Sequence, residues 1–418
     1  MLSFRLDCKK AQLVTLVSMC MSALPADAEQ IKETIHPTVN GSPVTLLVDN
    51  MLTQALGGRM LNLDVWAGEF VRYDDNIFYT NEQKTNDIIF STAAGVLLQA
   101  EEKDLWSTKI EAQFQHNRYK DYSEFNGIEG FLHSEGEFVV SPALSARAHF
   151  NFDKSYDNVR HEKDIFDTQT YAAGLGVTVS PSPYLNIDVD YGYFGQRREQ
   201  AILKYSEYDE NSISVRPSYA ITPNTTVYVQ GSLGLVGSKG NWYSDVTTNS
   251  AVAGIAWRYR DTANLYGEIG TTHMAFDSNG LLLDHRDGSV TKPNLRIGGK
   301  LAITEDTEIS AELSYAPQIG ATTTQSRDSA YVETVRASAT AQYSPGAGRL
   351  TVTATPFVTN NKPSNNVEYR EYGVTFGTTY CVTDWLNISG GYRVTQMKYA
   401  DASAYSRQQI TLGIVGAF

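Results

Sequence analysis

The sequence predicts an all-β fold, a transmembrane antiparallel up-and-down β-barrel of about 18 strands. Three observations lead to this prediction. Apolar and polar residues alternate with a period of two along nearly the whole chain after Arg59, in runs of about 10 to 15 residues. Such runs are about twice as long as the usual strand of a globular protein. The connections between them are tight and loose in turn, as in outer-membrane barrels with short periplasmic turns and longer extracellular loops.

The individual strands follow from this alternation. In the run LNIDVDYGYF, Leu185 and Val189 point to one face of a strand and Asp188 points to the other. Tight connections such as SPSPY and TPNT contain the Pro and Asn residues that favour turns. Loose connections such as QRREQAILKYSE are longer and carry much of the charge. An even count of about 18 runs agrees with bacterial single-chain barrels, and 16 is the alternative count.

The final stretch, TLGIVGAF, is predicted to be the closing strand. A barrel has no free edge because its last strand pairs with its first, so this stretch is expected to pair with the strand around residues 63–71. Phe418 is expected on the apolar, outward side, within the periplasmic aromatic girdle. It is similar to the C-terminal assembly signal that outer-membrane barrels present to the barrel assembly machinery. A soluble β-sandwich that ends on Phe by chance is the alternative.

The first residues indicate export from the cytoplasm. Three basic residues precede an apolar stretch at 11–24, and Ala26 and Ala28 occupy the small-residue positions of a cleavage site. Residues 1–28 are therefore predicted to be a signal peptide that is cleaved after Ala28. This places the mature chain in the outer membrane of a Gram-negative bacterium, in contact with outer-membrane lipid. A short membrane anchor is the alternative.

Residues 29–59 do not alternate and are predicted to form a periplasmic N-terminal segment, ahead of a barrel at 60–418. In VTLLVDNMLTQAL, apolar residues recur at helical spacing from Val44 to Leu56, and Gly57 and Gly58 follow. The pattern favours a short helix that lies in the periplasm or enters the lumen. A disordered leader is an equally good interpretation.

Composition excludes several classes of protein. The formal net charge of −13 argues against nucleic acid as a partner, because binding phosphates requires basic surface. Cys381 is the single cysteine after the predicted signal peptide, so no intramolecular disulfide is expected. No metal-binding or catalytic motif is found, and the chain is predicted to be no enzyme and to use no cofactor. Asp74 and Asp75 are adjacent carboxylates, but neighbouring strand residues point to opposite faces and could act as a dyad only if the strand is broken there.

The polar face of the strands is predicted to line the lumen. Its basic members would attract an anionic solute, since rings of charge set pore selectivity; the alternative is that cross-strand ion pairs only hold the wall rigid. The predicted lumen-lining residues are Lys109, Arg147, Arg216, Arg258, Arg296, Lys300, Arg336, Arg393, Glu111, Asp188, Asp190, Glu268 and Glu312.

The first strand and the loop after it resemble a known family. The stretch RYDDNIF, which contains Tyr73, Asp74, Asp75 and Asn76, is followed by a polar loop and by Asn86–Asp87 at the start of a second strand. This pattern is similar to the start of the β-barrel porin 2 family, the outer-membrane barrels of exopolysaccharide and capsule export systems. The specific part of the resemblance covers roughly residues 63–100.

The resemblance implies export of exopolysaccharide or capsular polysaccharide through a polar, relatively basic lumen. It also implies two partners, the polysaccharide substrate and a periplasmic polysaccharide export protein. A general diffusion porin for small solutes is the alternative function. Fold-level resemblance is a weak basis for function, so both functions are expectations for the structure and the comparisons to test.

Overall fold

In the computed structural model, two short strand pairs precede one large closed barrel. The structure describes residues 32–35, 38–39, 42–43, 46–49, 59–78, 84–158, 165–199, 206–239, 245–259, 262–277, 288–319, 331–345, 349–364, 368–400 and 404–417.

The barrel consists of 18 antiparallel strands, each paired with the next along the chain, and the last strand pairs with the first. This confirms the predicted fold class. One 3₁₀ helix, Ser123–Phe125, lies between the third and fourth barrel strands. The barrel strands are β5 (Arg59–Asp74), β6 (Asp87–Glu102), β7 (Trp106–Tyr119), β8 (Gly127–Ser141), β9 (Leu144–Asn158), β10 (Ile165–Ser182), β11 (Leu185–Glu199), β12 (Ser206–Thr222), β13 (Thr225–Lys239), β14 (Asp245–Tyr259), β15 (Ala263–Asp277), β16 (Gly288–Thr304), β17 (Thr307–Ile319), β18 (Tyr331–Tyr343), β19 (Leu350–Pro363), β20 (Tyr369–Thr383), β21 (Leu386–Tyr399) and β22 (Ala404–Ala417).

The alternation in the sequence becomes the two faces of the barrel wall. In β22, Ile410, Leu412 and Ile414 are 46%, 62% and 58% exposed, whereas Thr411 and Val415 between them are 3% and 0% exposed. Aliphatic side chains exposed at every second position form the outward face that contacts lipid in a membrane barrel. The residues between them point into the lumen.

Exposed aromatic side chains mark the end of the barrel that carries the tight turns. Tyr184 and Trp385 lie in the turns after β10 and β20, and both are exposed. The Tyr184 ring lies 6.5 Å from the ring of Tyr219, which is near the end of β12. Aromatic girdles of this kind lie at the membrane–water interface. Because outer-membrane barrels have short turns in the periplasm and longer loops outside, the tight turns mark the periplasmic end and the longer connections mark the extracellular end.

The N-terminal segment departs from the predicted helix. It contains four short strands, β1 (Lys32–Ile35), β2 (Thr38–Val39), β3 (Ser42–Pro43) and β4 (Leu46–Asp49), in which β1 pairs with β4 and β2 pairs with β3. Residues 46–49 are thus extended, because a run as short as LLVD fits a strand as well as one helical turn. Residues 50–58 lie outside the described residues. No helix in the described part of the chain is long and apolar enough to cross a membrane.

The barrel closes between β5 and β22. Gln409 pairs with Asp74 at one end of this seam, and Ala417 pairs with Trp66 at the other end. The expected partner of the final stretch is therefore confirmed. Phe418 and its predicted role as an assembly signal lie outside the described residues.

Candidate functional site in the lumen wall

All thirteen predicted lumen residues lie on one face of the barrel wall, which we call the lumen wall. They are spread over β7, β9, β11, β12 and β14 to β18, with the last one in β21. Each occupies a position that alternates with the exposed apolar side chains of its own strand. Because successive side chains of a strand point to opposite faces, this position directs each of them away from lipid.

Four of the predicted basic residues take part in ion pairs. Arg147 contacts Asp190 at 2.7 Å and Asp188 at 3.3 Å. Lys109 is 4.0 Å from Glu111 on its own strand.

The other two ion pairs lie between β16 and β17. Arg296 donates to Glu312 Oε2 through Nε at 3.0 Å and through a terminal nitrogen at 2.7 Å. Lys300 contacts Glu308 at 2.7 Å. Cross-strand pairs of opposite charge stabilise a sheet, so these residues fit the interpretation that the charges hold the wall.

Two of the remaining basic residues lie against aromatic rings, and two are exposed. The Arg216 guanidinium lies 3.9 Å from the centre of the Tyr228 ring, and that of Arg393 lies 5.8 Å from the Phe357 ring. Arg258 and Arg336 are exposed on the lumen wall, and neither has an ion-pair partner among the described residues. The basic residues of the wall are therefore not a uniform ring of unpaired cations.

Sequence reasoning missed two tyrosines that organise this wall. Tyr228 on β13 donates its hydroxyl hydrogen to Glu268 at 2.5 Å, and Tyr266 on β15 donates to Glu312 at 2.5 Å. Both tyrosines stand at polar positions of the alternation, for example Tyr228 between Val227 and Val229. That position was the available signal, because a tyrosine hydroxyl that leaves water requires a hydrogen-bond partner.

Glycines make these long-range contacts possible. Each contact joins side chains two strands apart, and the strand between them carries a glycine in register with both. Gly254 stands between Tyr228 and Glu268, and Gly298 stands between Tyr266 and Glu312.

The third crossing has the same arrangement, with Gly176 between Arg147 and Asp190. A Cβ atom on Gly254 would lie 2.3 Å from the Tyr228 ring, and one on Gly176 would lie 2.3 Å from a carboxylate oxygen of Asp190. Only a residue without a side chain leaves room for the neighbour to cross at these positions.

One side of the lumen wall is covered. Gln409, Thr411 and Val415 point inward from β22 and are buried, although the outward residues between them are exposed. On the wall of β11 and β16, by contrast, the side chains of Asp190 and Arg296 are 40% and 49% exposed.

The N-terminal strands contribute to this cover, together with Trp66 and Phe70 of β5, which pack against Val415. Strand β3 contacts β20 and β21, and β4 contacts β22. Because the side chains buried in β22 are the inward ones, β3 and β4 lie on the lumen side of these strands. The chain's own N-terminal segment therefore occupies part of the lumen.

Buried apolar clusters lie at the extracellular end of the lumen, and we call them the mouth clusters. The first joins Tyr208, Val236, Val246 and Met274, which lie near the long-loop ends of four consecutive strands. The second joins Tyr369, Met397 and Tyr405 at the same end of β20 to β22. Their side chains are almost completely buried. The polar lumen wall thus gives way to packed apolar side chains near the extracellular end.

The residues of the RYDDNIF stretch lie at the barrel seam. Tyr73 is exposed on the outward face, and Asp74 is fully buried on the inward face, where it binds Arg407. Asp75 and Asn76 follow the end of β5 and contact β22. Asp74 and Asp75 point in different directions and have different partners, so the structure brings no carboxylate dyad together here. Among the described residues, no group of three or more His, Cys, Asp or Glu side chains is placed to hold a metal ion.

Comparison with known proteins gives matches in structure alone. No protein-family model and no curated protein matches the chain. The matching structures include the FrpB iron transporter of Neisseria meningitidis (F5-1 variant), with a TM-score of 0.48, 8% identity and coverage of 85% of this chain and 82% of that chain. The copper transporter OprC has a TM-score of 0.47 and 12% identity, with coverage of 87% of this chain and 65% of that chain. The siderophore receptor PirA of Pseudomonas aeruginosa has a TM-score of 0.43 and 8% identity, with coverage of 90% of this chain and 82% of that chain.

These matches correct the predicted function. The matched proteins are named as transporters and receptors for iron, copper and siderophores, and not as polysaccharide exporters, general porins or enzymes. Export of polysaccharide and the alternative of a general diffusion porin are therefore contradicted, as is the predicted partnership with a periplasmic polysaccharide export protein. The physical reason for the error is that a barrel start such as RYDDNIF reports on how the barrel closes and not on what passes through it. At identities of 8% to 12%, the likeness concerns the fold: the chain is an 18-stranded β-barrel of the outer-membrane type.

Proposed function

We propose that the protein is a selective outer-membrane transporter that takes up a small polar solute through the lumen. It is a transporter rather than an enzyme, and the exposed half of the lumen wall is the surface that the solute follows. The substrates of the iron, copper and siderophore proteins are not assigned to this chain, because a shared fold at such low identity does not imply a shared binding site.

The observation that carries the proposal is the partial occupation of the lumen. The wall of β20 to β22 is covered by β3 and β4, and the wall of β15 to β17 presents Tyr266, Glu312 and the other paired polar groups. A wide diffusion pore has an open, water-filled lumen. A lumen narrowed by its own chain favours solutes that can exchange hydrogen bonds with the remaining wall.

Uptake is the proposed direction because the mouth clusters lie at the extracellular end, where a solute from the medium arrives. Apolar constrictions control passage by excluding water from a narrow segment. The clusters around Met274 and Met397 line the lumen at this end with apolar side chains. A passage with an apolar lining on the outside fits a transporter that admits a chosen solute.

Flux into proteoliposomes tests this proposal. Purified protein is reconstituted, and influx of labelled glycerol, alanine, citrate and putrescine is measured as neutral, zwitterionic, anionic and cationic probes. We expect saturable influx of one class above the others. Influx of all four in order of size alone, without saturation, would reject selectivity. No influx of any probe, in the full chain and in a variant without residues 29–58, would reject transport.

Two further assignments belong to this proposal. We propose that the signal peptide is cleaved after Ala28, so that the mature chain begins with the segment that enters the lumen. We also propose membership of the β-barrel porin 2 family, supported by the residues of the RYDDNIF stretch and by Asn86–Asp87. Such membership concerns descent and barrel closure and supplies no substrate.

A further inference from the structure

The barrel seam is incomplete at its extracellular end. Pairing of β5 with β22 stops at Asp74 and Gln409, because β5 ends there. Strand β22 continues to Ala404, and on its other side β21 remains paired with it as far as Lys398 and Ala404. Among the described strands, therefore, none pairs with the edge of residues 404–408 that faces β5. An unpaired strand edge exposes backbone groups that need hydrogen-bond partners.

The loop that follows β5 occupies this edge. The Asp75 backbone N–H donates to the Gln408 carbonyl at 3.1 Å, and the Gln408 N–H donates to the Asp75 carboxylate at 2.5 Å. The Asn76 side-chain amide donates to the Ser406 carbonyl at 2.9 Å. These contacts satisfy alternate backbone groups of β22, as a neighbouring strand would.

A buried ion pair fixes the loop at this point. Asp74 is fully buried and accepts hydrogen bonds from Arg407, from Gln409 at 2.9 Å and from the Asn76 backbone N–H at 3.1 Å. The Arg407 side chain is 11% exposed. A buried carboxylate with several donors and an arginine partner is well satisfied, whereas removal of one partner leaves a buried charge uncompensated.

A lysine from the same loop adds a further contact. Lys84 Nζ lies 2.8 Å from the Ser406 hydroxyl and 3.4 Å from the Asp75 carboxylate. It therefore joins the two sides of the seam beyond the last paired residues.

We propose that Asp74, Asp75, Asn76 and Lys84 form a latch that replaces the missing strand pairing and holds β5 against β22. The residues that suggested a family resemblance then have a defined task, which is closure of the barrel. The latch is independent of the solute, because its partners are backbone and side-chain groups of β22.

Thermal stability of the folded barrel tests the latch. Asp74→Asn removes the charge partner of Arg407, and Asn76→Ala removes one side-chain hydrogen bond. The temperature at which the compact, heat-modifiable form is lost in electrophoresis should fall by several degrees for Asp74→Asn and by less for Asn76→Ala. Asp167→Asn is the matched control, because it removes an ion pair with Lys154 at 3.0 Å in a wall without a seam. The control should melt close to the wild type.

A cross-link distinguishes the latch from a local effect on folding. Val71 and Leu412 are directly paired across the seam on the outward face. A disulfide between Val71→Cys and Leu412→Cys, introduced with Cys381→Ser, should restore the melting temperature of the Asp74→Asn barrel under oxidising conditions and not after reduction.

Three results would overturn the proposal. One is an Asp74→Asn barrel that melts with the wild type. Another is a cross-linked Asp74→Asn barrel that melts as early as the reduced one, which would place the loss away from the seam. If Asp74→Asn yields no folded barrel, Asn76→Ala carries the test, and a melting temperature equal to that of Asp167→Asn would reject the latch.

Discussion

At the scale of single residues, the need for glycine at certain positions of the lumen wall comes from side chains of other strands. Gly298 lies between Tyr266 and Glu312, and a Cβ atom there would lie 2.5 Å from the tyrosine hydroxyl oxygen. Gly254 has the same relation to Tyr228. The identity of these residues is thus set by a crossing hydrogen bond and not by a turn or by backbone conformation.

Substitution of Gly298 should therefore destabilise the barrel without loss of any side chain. We expect Gly298→Ala to lower the free energy of unfolding by about 1–3 kcal/mol, the usual cost of forcing atoms into a filled space. Gly267→Ala is the control, since an added Cβ there meets nothing within 4 Å. Urea unfolding of both variants in detergent micelles measures the difference. Equal stability of the two variants would contradict the role assigned to Gly298.

The ion pairs of the lumen wall predict the sign of ion selectivity. Arg296 and Glu312 neutralise each other, so the wild-type channel should show weak selectivity in spite of its basic residues. Glu312→Gln leaves Arg296 unpaired and should shift the reversal potential in a salt gradient toward anions. Arg296→Gln should shift it toward cations. The measurement is made in planar bilayers at low salt, where screening is weak. Shifts of the same sign in both variants would show that the pair does not face the conducting path.

At the scale of elements, the sequence predicted the barrel well and the N-terminal segment poorly. Period-two alternation locates each strand and both of its faces, because one face meets lipid and the other meets the lumen. The three apolar residues from Leu46 to Val48 satisfy helical and extended periods equally, and pairing with β1 decides for a strand. The Tyr228–Glu268 contact could not be predicted, since it depends on the register of three strands, which one sequence does not reveal.

The N-terminal strands should reduce conductance. Deletion of residues 29–58, with the signal peptide kept, removes β1 to β4 and uncovers the inward face of β20 to β22. The expected result is a larger single-channel conductance in planar bilayers, because the cross-section open to ions increases. Equal amounts of heat-modifiable barrel must be compared, so that the change does not reflect misfolding. Unchanged conductance would mean that the segment lies outside the conducting path.

At the scale of the whole molecule, architecture followed from the sequence and function did not. The 18 strands result from many weak, consistent signals, each of which reports the contrast between lipid and water. The contacts of the lumen wall depend on a few side chains such as Arg147 and Tyr266, whose partners are distant in the sequence. The RYDDNIF residues lie at the seam where the barrel closes, and the export function inferred from their resemblance is wrong.

Assembly of the whole barrel provides a prediction at this scale. In the sequence, Phe418 follows the same alternation as Ile410, Leu412 and Ile414, which face outward in the closing strand. Phe418→Asp replaces an interfacial aromatic ring with a charge and should lower the amount of barrel in the outer membrane. Phe418→Tyr is the control and should assemble normally. The heat-modifiable fraction of outer-membrane extracts gives the measurement, and wild-type levels for the Asp variant would rule out an assembly role.

The contact of β3 and β4 with β20 to β22 also constrains the order of events during biogenesis. The N-terminal strands leave the ribosome first, but the wall on which they rest is synthesised last. Strands β3 and β4 therefore cannot take up their position in the lumen until the final three strands have been synthesised. Partial filling of the lumen by β3 and β4 is consequently a late event.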